Sequence, residues 1–254
     1  MNIFKLFKYK FFYFLSFILS SKLIHLIGAS HSTKWMRDKF FRPNGTTEII
    51  NKSIKYFGYT LKISSPIQVL YRAEKKGIES SLTRFIMNEI SNGDVCIDVG
   101  ANYGFISMIM SKKVGFAGHV YAFEANRYIY KILKKNIICN NLDTICTLSN
   151  SFISNKSDES NKTIDEILLN DTKKIKLIKI DTDGTDYNCL LGARKIIKRD
   201  SPIIIIEVND MEEDIYNQLK KIGYNFFYDQ YYQTITSSMP PNLIASQYQL
   251  SKTA

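Results

Sequence analysis

A doubly wound α/β fold, with a mostly parallel sheet and an antiparallel C-terminal hairpin, is what this sequence predicts. Three observations carry the prediction. Strand-length runs lie at 95–99, 175–181 and 203–207, and the one at 95–99 shows no polar alternation, as a strand covered on both faces does. Segments with helical periodicity separate these runs, so strand and helix alternate. An acid stands at or beside the carboxyl end of four predicted strands, namely Asp98, Glu124, Asp181 and Glu207. In doubly wound sheets that is the end where ligands bind.

The 254 residues suffice for one large domain with an appendage, and three segments are expected: 1–29, 30–76 and 77–254. In the first, Lys5, Lys8 and Lys10 precede an apolar run at 11–19, and Lys22 and His25 interrupt a second patch at 23–27. The uninterrupted core is about half of the ~20 residues that span a bilayer. Three readings of 1–29 stay open: a Lys-flanked helix in a membrane interface, a membrane anchor, or a helix packed on the domain. Residues 30–76 read as an N-terminal cap. Turn signals occur there at Pro43-Asn44-Gly45 and Ser64-Ser65-Pro66, with strands expected at 54–63 and 67–71.

The third segment alternates regularly. Helices are expected at 79–90, 103–113, 128–139, 164–169, 186–199 and 212–222, and strands at 95–99, 120–124, 144–148, 175–181 and 203–207. A polar stretch occupies 150–162. A hairpin pairing 224–228 with 231–235 around Asp229-Gln230 closes the pattern.

Charge is distributed unevenly. Residues 1–76 hold 14 Lys and Arg against 3 Asp and Glu, whereas the remainder holds 20 against 21. The basic excess is therefore N-terminal, where it favours an anionic membrane surface. The nearly neutral remainder gives no electrostatic case for gripping nucleic acid. Cys96, Cys139, Cys146 and Cys189 form no C-x-x-C pair and no metal-ligand spacing. They read as four buried thiols in a reducing, cytoplasmic compartment.

The stretch 94–107, DVCIDVGANYGFIS, organises the chemistry. Gly100 and Gly104 allow left-handed dihedrals and close approach of backbone to a ligand, and an apolar helix follows. Glu124 lies where an acid reaches ribose hydroxyls in a dinucleotide fold. A pyrophosphate cradle needs G-x-G-x-x-G, but Asn102 replaces the extra glycine and the Asp98 carboxylate would repel phosphate. A nicotinamide oxidoreductase is disfavoured on that ground, and a cofactor with a cationic amino-acid portion is favoured.

These segments, IDVGANYG, GHVYAFEAN, TIDEIL, KLIKIDTDGTDYNCLLGA and PIIIIEV, together resemble the FkbM family of methyltransferases in an ordered match over 79–235. The resemblance implies a class I methyltransferase fold, S-adenosylmethionine as cofactor, and methylation of a hydroxyl on a polyketide or sugar. It implies cofactor contacts from Asp98, Gly100, Asn102 and Gly104, with Glu124 on the ribose. Residues 181–184 match the family's D-V-E-G with Thr182 and Asp183 substituted. The 150–162 segment is shorter than in the family, which leaves Ser151 and Phe152 as the nearby candidates for the adenine.

Methyl transfer from a sulfonium is downhill, so an enzyme chiefly supplies proximity, in-line orientation and a proton acceptor. Asp181 is the expected base or orienting acceptor. Lys179, on the same strand face, is expected to pair with Asp181 or with Glu207 and so tune the working carboxylate. No histidine is well placed, because His25 and His31 are N-terminal and His119 opens its strand. Asp181, Asp183 and Asp186 lack an evident fourth ligand, so no metal is expected. An amino-group methyltransferase is disfavoured because (D/N)-P-P-(Y/F) is replaced by Asp181-Thr182-Asp183-Gly184. The expected acceptor is a glycan or other small molecule, with peripheral membrane association through 1–29. The competing reading is a degenerate fold that docks on membranes as a scaffold.

Overall fold

A computed structural model describes residues 49–208, 211–236 and 238–251. The expectations for 1–29, and for the cap before residue 49, lie outside the described residues, as do His25 and His31. Residues from Ile50 onward form one compact unit.

A two-stranded hairpin comes first, β1 (Ile49–Tyr56) and β2 (Tyr59–Pro66). Its turn, Phe57-Gly58, has both residues at positive φ, 47° and 82°, which is the geometry that follows the twist of the flanking strands. The single strand expected at 54–63 is therefore two strands split by this turn. The strand expected at 67–71 is instead helix α1 (Ile67–Lys75), with Pro66 at its N-cap. Leu70 and Ala73 are its buried residues, and their spacing of three is helical.

Next come α2 (Ser80–Glu89), β3 (Val95–Val99), α3 (Phe105–Val114), β4 (His119–Phe123), α4 (Arg127–Cys139) and β5 (Cys146–Ser149). Within 150–162, β6 (Phe152–Ile153) and β7 (Asn161–Lys162) pair in parallel as a small separate sheet. Helix α5 (Ile164–Leu168), β8 (Ile175–Ile180), α6 (Asp186–Gly192), α7 (Arg194–Asp200), β9 (Ile203–Glu207), α8 (Glu212–Lys221), β10 (Phe226–Tyr228) and β11 (Asn242–Ser246) complete the order.

The main sheet runs β10-β11-β9-β8-β3-β4-β5. The pairs from β9 to β5 are parallel, and β11 is antiparallel to both β9 and β10. The antiparallel edge is present, but its pairing corrects the sequence reading. Strand β10 pairs with Asn242–Ser246, and the expected partner at 231–235 contributes only the bridge Tyr228–Thr234. Leu243, Ile244 and Ala245 are fully buried, which is why this short strand is held inside the sheet.

Two further details differ. The helix expected at 186–199 breaks at Ala193. There the Asp165 carboxylate accepts from the backbone N–H of Lys195 and Ile196, each at 3.0 Å, and so starts a second helix. Gly192 presses against the Ser154 carbonyl, where a Cβ would overlap it. Cys96, Cys146 and Cys189 are buried as expected, but Cys139, at the end of α4, is exposed.

The sheet carries a core on each face. Cys96, Ala122, Leu177 and Ile205 pack with the hairpin and α1 to α4, while Ile97, Phe123, Ile178 and Ile204 pack with α5 to α8. The hairpin is tied to α4 through two asparagines one turn apart. Asn136 accepts from Ser64 N at 2.7 Å and donates to Ser64 O and Tyr103 O, both at 2.9 Å. Asn140 repeats the arrangement on Lys62, accepting at 2.9 Å and donating at 2.7 Å. The carboxamides thus pair the backbone edge of β2 as a neighbouring strand would. Because Asn136 is buried, Asn136→Ala strands backbone groups on both sides, and a loss of about 1–3 kcal/mol is expected. The midpoint of urea unfolding measures it.

Candidate active site

Side-chain alternation carries the first core's face into a polar cluster at the carboxyl end of the sheet. Asp98 follows Cys96, Lys179 follows Leu177, Glu207 follows Ile205, and Glu124 follows Ala122. Asp98 and Lys179 are direct neighbours in register across β3 and β8. A cavity of about 630 Å³ opens there. Each site residue expected from the sequence lines it, namely Asp98, Gly100, Asn102, Glu124, Ser151, Phe152, Lys179, Asp181 and Glu207, with Gly104 as the exception. Gly104 lies just behind, as the N-cap of α3 at φ 86°, and a Cβ there would stand 2.5 Å from Leu133 Cδ1.

The glycine loop folds back on β4. Gly100 N and Ala101 N both donate to Phe123 O, at 3.0 and 2.9 Å. Gly100, at φ 79°, passes so close to β8 that a Cβ would overlap the Asp181 carbonyl. Asn102 takes the left-handed conformation at φ 52°, which asparagine tolerates better than most residues. Its backbone N–H donates to Glu124 Oε2 at 2.9 Å, while Asn126 N donates to Oε1 at 2.8 Å. Each Glu124 oxygen therefore holds one fixed donor and keeps acceptor capacity toward the cavity. The Asn126 side chain caps α4 by accepting from Tyr128 N and Ile129 N, which fixes the turn that carries Glu124.

Asp98 is fully buried. Its Oδ2 accepts from the Ser107 hydroxyl at 2.5 Å, and its Oδ1, 3.6 Å from Lys179 Nζ, has no hydrogen-bond partner among the described residues. Lys179 also donates to Asp181 Oδ2 at 3.1 Å. One buried ammonium thus bridges two carboxylates, and the partner missing from the sequence reading is Asp98. Burial alone would lower the Lys179 pKa; Asp98, Asp181 and Glu79 outweigh it and hold the ammonium above the ordinary lysine range.

Asp186 organises the loop after β8. It accepts from Thr182 N at 2.8 Å, Thr182 Oγ1 at 3.0 Å and Gly184 N at 3.1 Å. Asp183 sits at φ 56° and lines the cavity. Among the described residues no three His, Cys, Asp or Glu side chains are grouped to hold a metal ion. His119 is the first residue of β4, with its Nε2 2.8 Å from Thr147 Oγ1.

The sequence did not disclose the cavity's other wall. Val69 and Arg72 of α1, with Ile78 and Glu79 of the following turn, also line the cavity. No local motif marks these residues, because it is the docking of the hairpin and α1 that brings them over the sheet. The Gly77-Ile78-Glu79 turn ahead of α2 was the one available signal.

Known proteins bear on the site in three ways. Residues 147–226 match the family model described as Methyltransferase FkbM domain, a range inside the 79–235 resemblance that begins after Glu124. No curated protein matches the chain. Solved structures are similar at low identity. The methyltransferase FkbM from Methylobacillus flagellatus KT is 18% identical over 61% of this chain and 44% of its own, with a TM-score of 0.47. An SAM-dependent O-methyltransferase from Thermotoga maritima is 13% identical over 85% and 83%, with a TM-score of 0.47. An rRNA methylase from Streptococcus thermophilus is 15% identical over 64% and 90%, with a TM-score of 0.44.

Proposed function

We propose that this chain, whose residues 147–226 match the FkbM methyltransferase domain model, transfers a methyl group from S-adenosylmethionine to a hydroxyl of a glycan or related small molecule. The observation that supports this best is Glu124, held at both oxygens by backbone N–H groups while each oxygen can still accept from a ribose hydroxyl. The residues suit the rest of that ligand. Asp98 Oδ1, buried without a hydrogen-bond partner among the described residues, would offer an acceptor to a cationic amino-acid portion. The N-terminus of α3, with Phe105 and Ile106 on the cavity wall, favours a carboxylate. Ser151 and Phe152 line the same cavity and are the candidates for the adenine.

When bound, S-adenosylmethionine supplies an electrophilic methyl group, and the chain's residues hold the acceptor in line with it. Asp181, anchored by Lys179, orients the acceptor hydroxyl through its remaining lone pairs, and Glu207 lines the same floor. Gly100 keeps the backbone low enough for the loop and β8 to meet at the cavity floor.

The hydroxyl assignment rests on what the cavity offers: carboxylates and a lysine, with nothing resembling (D/N)-P-P-(Y/F) after β8. Among the described residues no helix is long and apolar enough to cross a membrane. The peripheral role of 1–29 rests on its Lys-flanked apolar pattern alone. Methyl-labelled S-adenosylmethionine and a pooled glycan extract test the acceptor class. Label in base-stable, ether-linked carbohydrate methyl groups is expected, and label confined to RNA or amino groups would contradict it.

A further inference from the structure

Which group takes the acceptor's proton follows from which carboxylates in the cavity are already committed. Asp98 and Asp181 share Lys179, and Glu124 is held by two backbone donors. Among the described residues, no hydrogen bond or ion pair engages the side chain of Glu79 or of Asp183; both line the cavity, and Glu79 does so from the turn ahead of α2.

The backbone holds it there under strain. Glu79 has φ 46° and ψ 48°, a left-handed conformation that L residues with long side chains rarely adopt, and Gly77 is left-handed two residues earlier. The turn is clamped on either side. Tyr56 Oη donates to Ile78 O at 2.8 Å and accepts from Ile78 N at 3.1 Å, while Thr83 Oγ1 donates to Ile78 O at 3.2 Å. The Glu79 carbonyl accepts from Thr83 N at 2.8 Å, which starts α2. A strained residue that its surroundings over-determine is characteristic of groups aimed at a ligand.

We propose that Glu79 is the general base of the transfer, with Asp181 as the residue that orients the hydroxyl. This rests on the reading of the cavity as a methyl-transfer site. As the acceptor oxygen bonds to the methyl carbon, the carbon–sulfur bond breaks and its electron pair stays on sulfur. The hydroxyl proton passes to Glu79 and from there to water. The electrostatic setting suits the task. Although the residue as a whole is exposed, enclosure of its carboxyl raises the pKa; Lys179 opposes this, and Asp181 and Asp98 add to it. Arg72, Asp183 and Glu207 line the same cavity and complete the charged surroundings.

The test uses the full chain, calorimetry with S-adenosylmethionine, and turnover of labelled donor with a pooled glycan extract. Glu79→Gln is expected to bind the donor within twofold of wild type, which also reports its folding. It is expected to lose roughly 10²–10⁴-fold in kcat and the acidic limb of the pH profile, with Glu79→Asp restoring that limb in part. Carboxyl-¹³C glutamate labelling, assigned through Glu79→Gln, gives a readout that needs no acceptor. Glu79 is expected to titrate above an ordinary glutamate and higher still in Lys179→Met. A Glu79 carboxyl titrating at or below the ordinary value overturns the proposal. So does Glu79→Gln turnover within about threefold of wild type with the acidic limb intact. Absence of donor binding by wild type overturns the methyl-transfer reading itself, which separates the two failures.

Discussion

Lys179→Met is expected to destabilise the protein by about 3–5 kcal/mol, because it strands a buried carboxylate without its cation. Asp98 is fully buried and Lys179 is 3% exposed, so water cannot replace the lost ammonium. The Ser107 hydroxyl satisfies only one Asp98 oxygen. Asp98→Asn in the same chain removes the stranded charge, so the double variant should recover a large part of the loss. A double-mutant cycle in urea measures that coupling. The pH dependence follows from the raised lysine pKa. A cation stabilised in the folded state contributes fully below its unfolded value of about 10.4, and that contribution is lost as pH rises through the higher folded value. The gap between wild type and Lys179→Met should therefore stay level from neutral pH to about 10.

Gly100→Ala is the second large effect, and it acts through the backbone. The new Cβ would overlap the Asp181 carbonyl, a main-chain atom that no rotamer change can move, at a residue already at φ 79°. Left-handed strain and overpacking each contribute about 1–3 kcal/mol, so a loss of roughly 3 kcal/mol or more is expected. Thermal unfolding measures it. Because the clash pushes the glycine loop away from β8, donor binding should weaken as well. Gly104→Ala should be milder, since its Cβ meets the end of the flexible Leu133 side chain.

The central sheet was legible because its strands are buried on both faces and so announce themselves as short apolar runs. Their polar ends were legible for a related reason. With a period of two, Asp98, Glu124, Lys179 and Glu207 continue the face of Cys96, Ala122, Leu177 and Ile205, and doubly wound topology brings such ends together. Elements whose identity depends on tertiary packing were not legible. The run Ile-Gln-Val-Leu-Tyr in α1 is too short for periodicity to separate strand from helix, and docking decided it. The strand Asn242–Ser246 follows Pro240-Pro241, which reads as a turn, and only its insertion between β9 and β10 makes it a strand. The helix break at Ala193 depends on Asp165, a side chain from another element. In the site, Lys179 was expected to pair with Asp181 or Glu207. Its second partner, Asp98, required the register of β3 against β8. Glu79 escaped because its place over the sheet is set by the hairpin and α1.

Calorimetric titration of the full chain with S-adenosylmethionine addresses the account at its centre, when wild type is compared with Glu124→Ala. One-to-one binding by wild type, weakened about tenfold or more in Glu124→Ala while the fold is retained by circular dichroism, is the expected result. Absence of binding by wild type, or equal affinity in the two proteins, would contradict it.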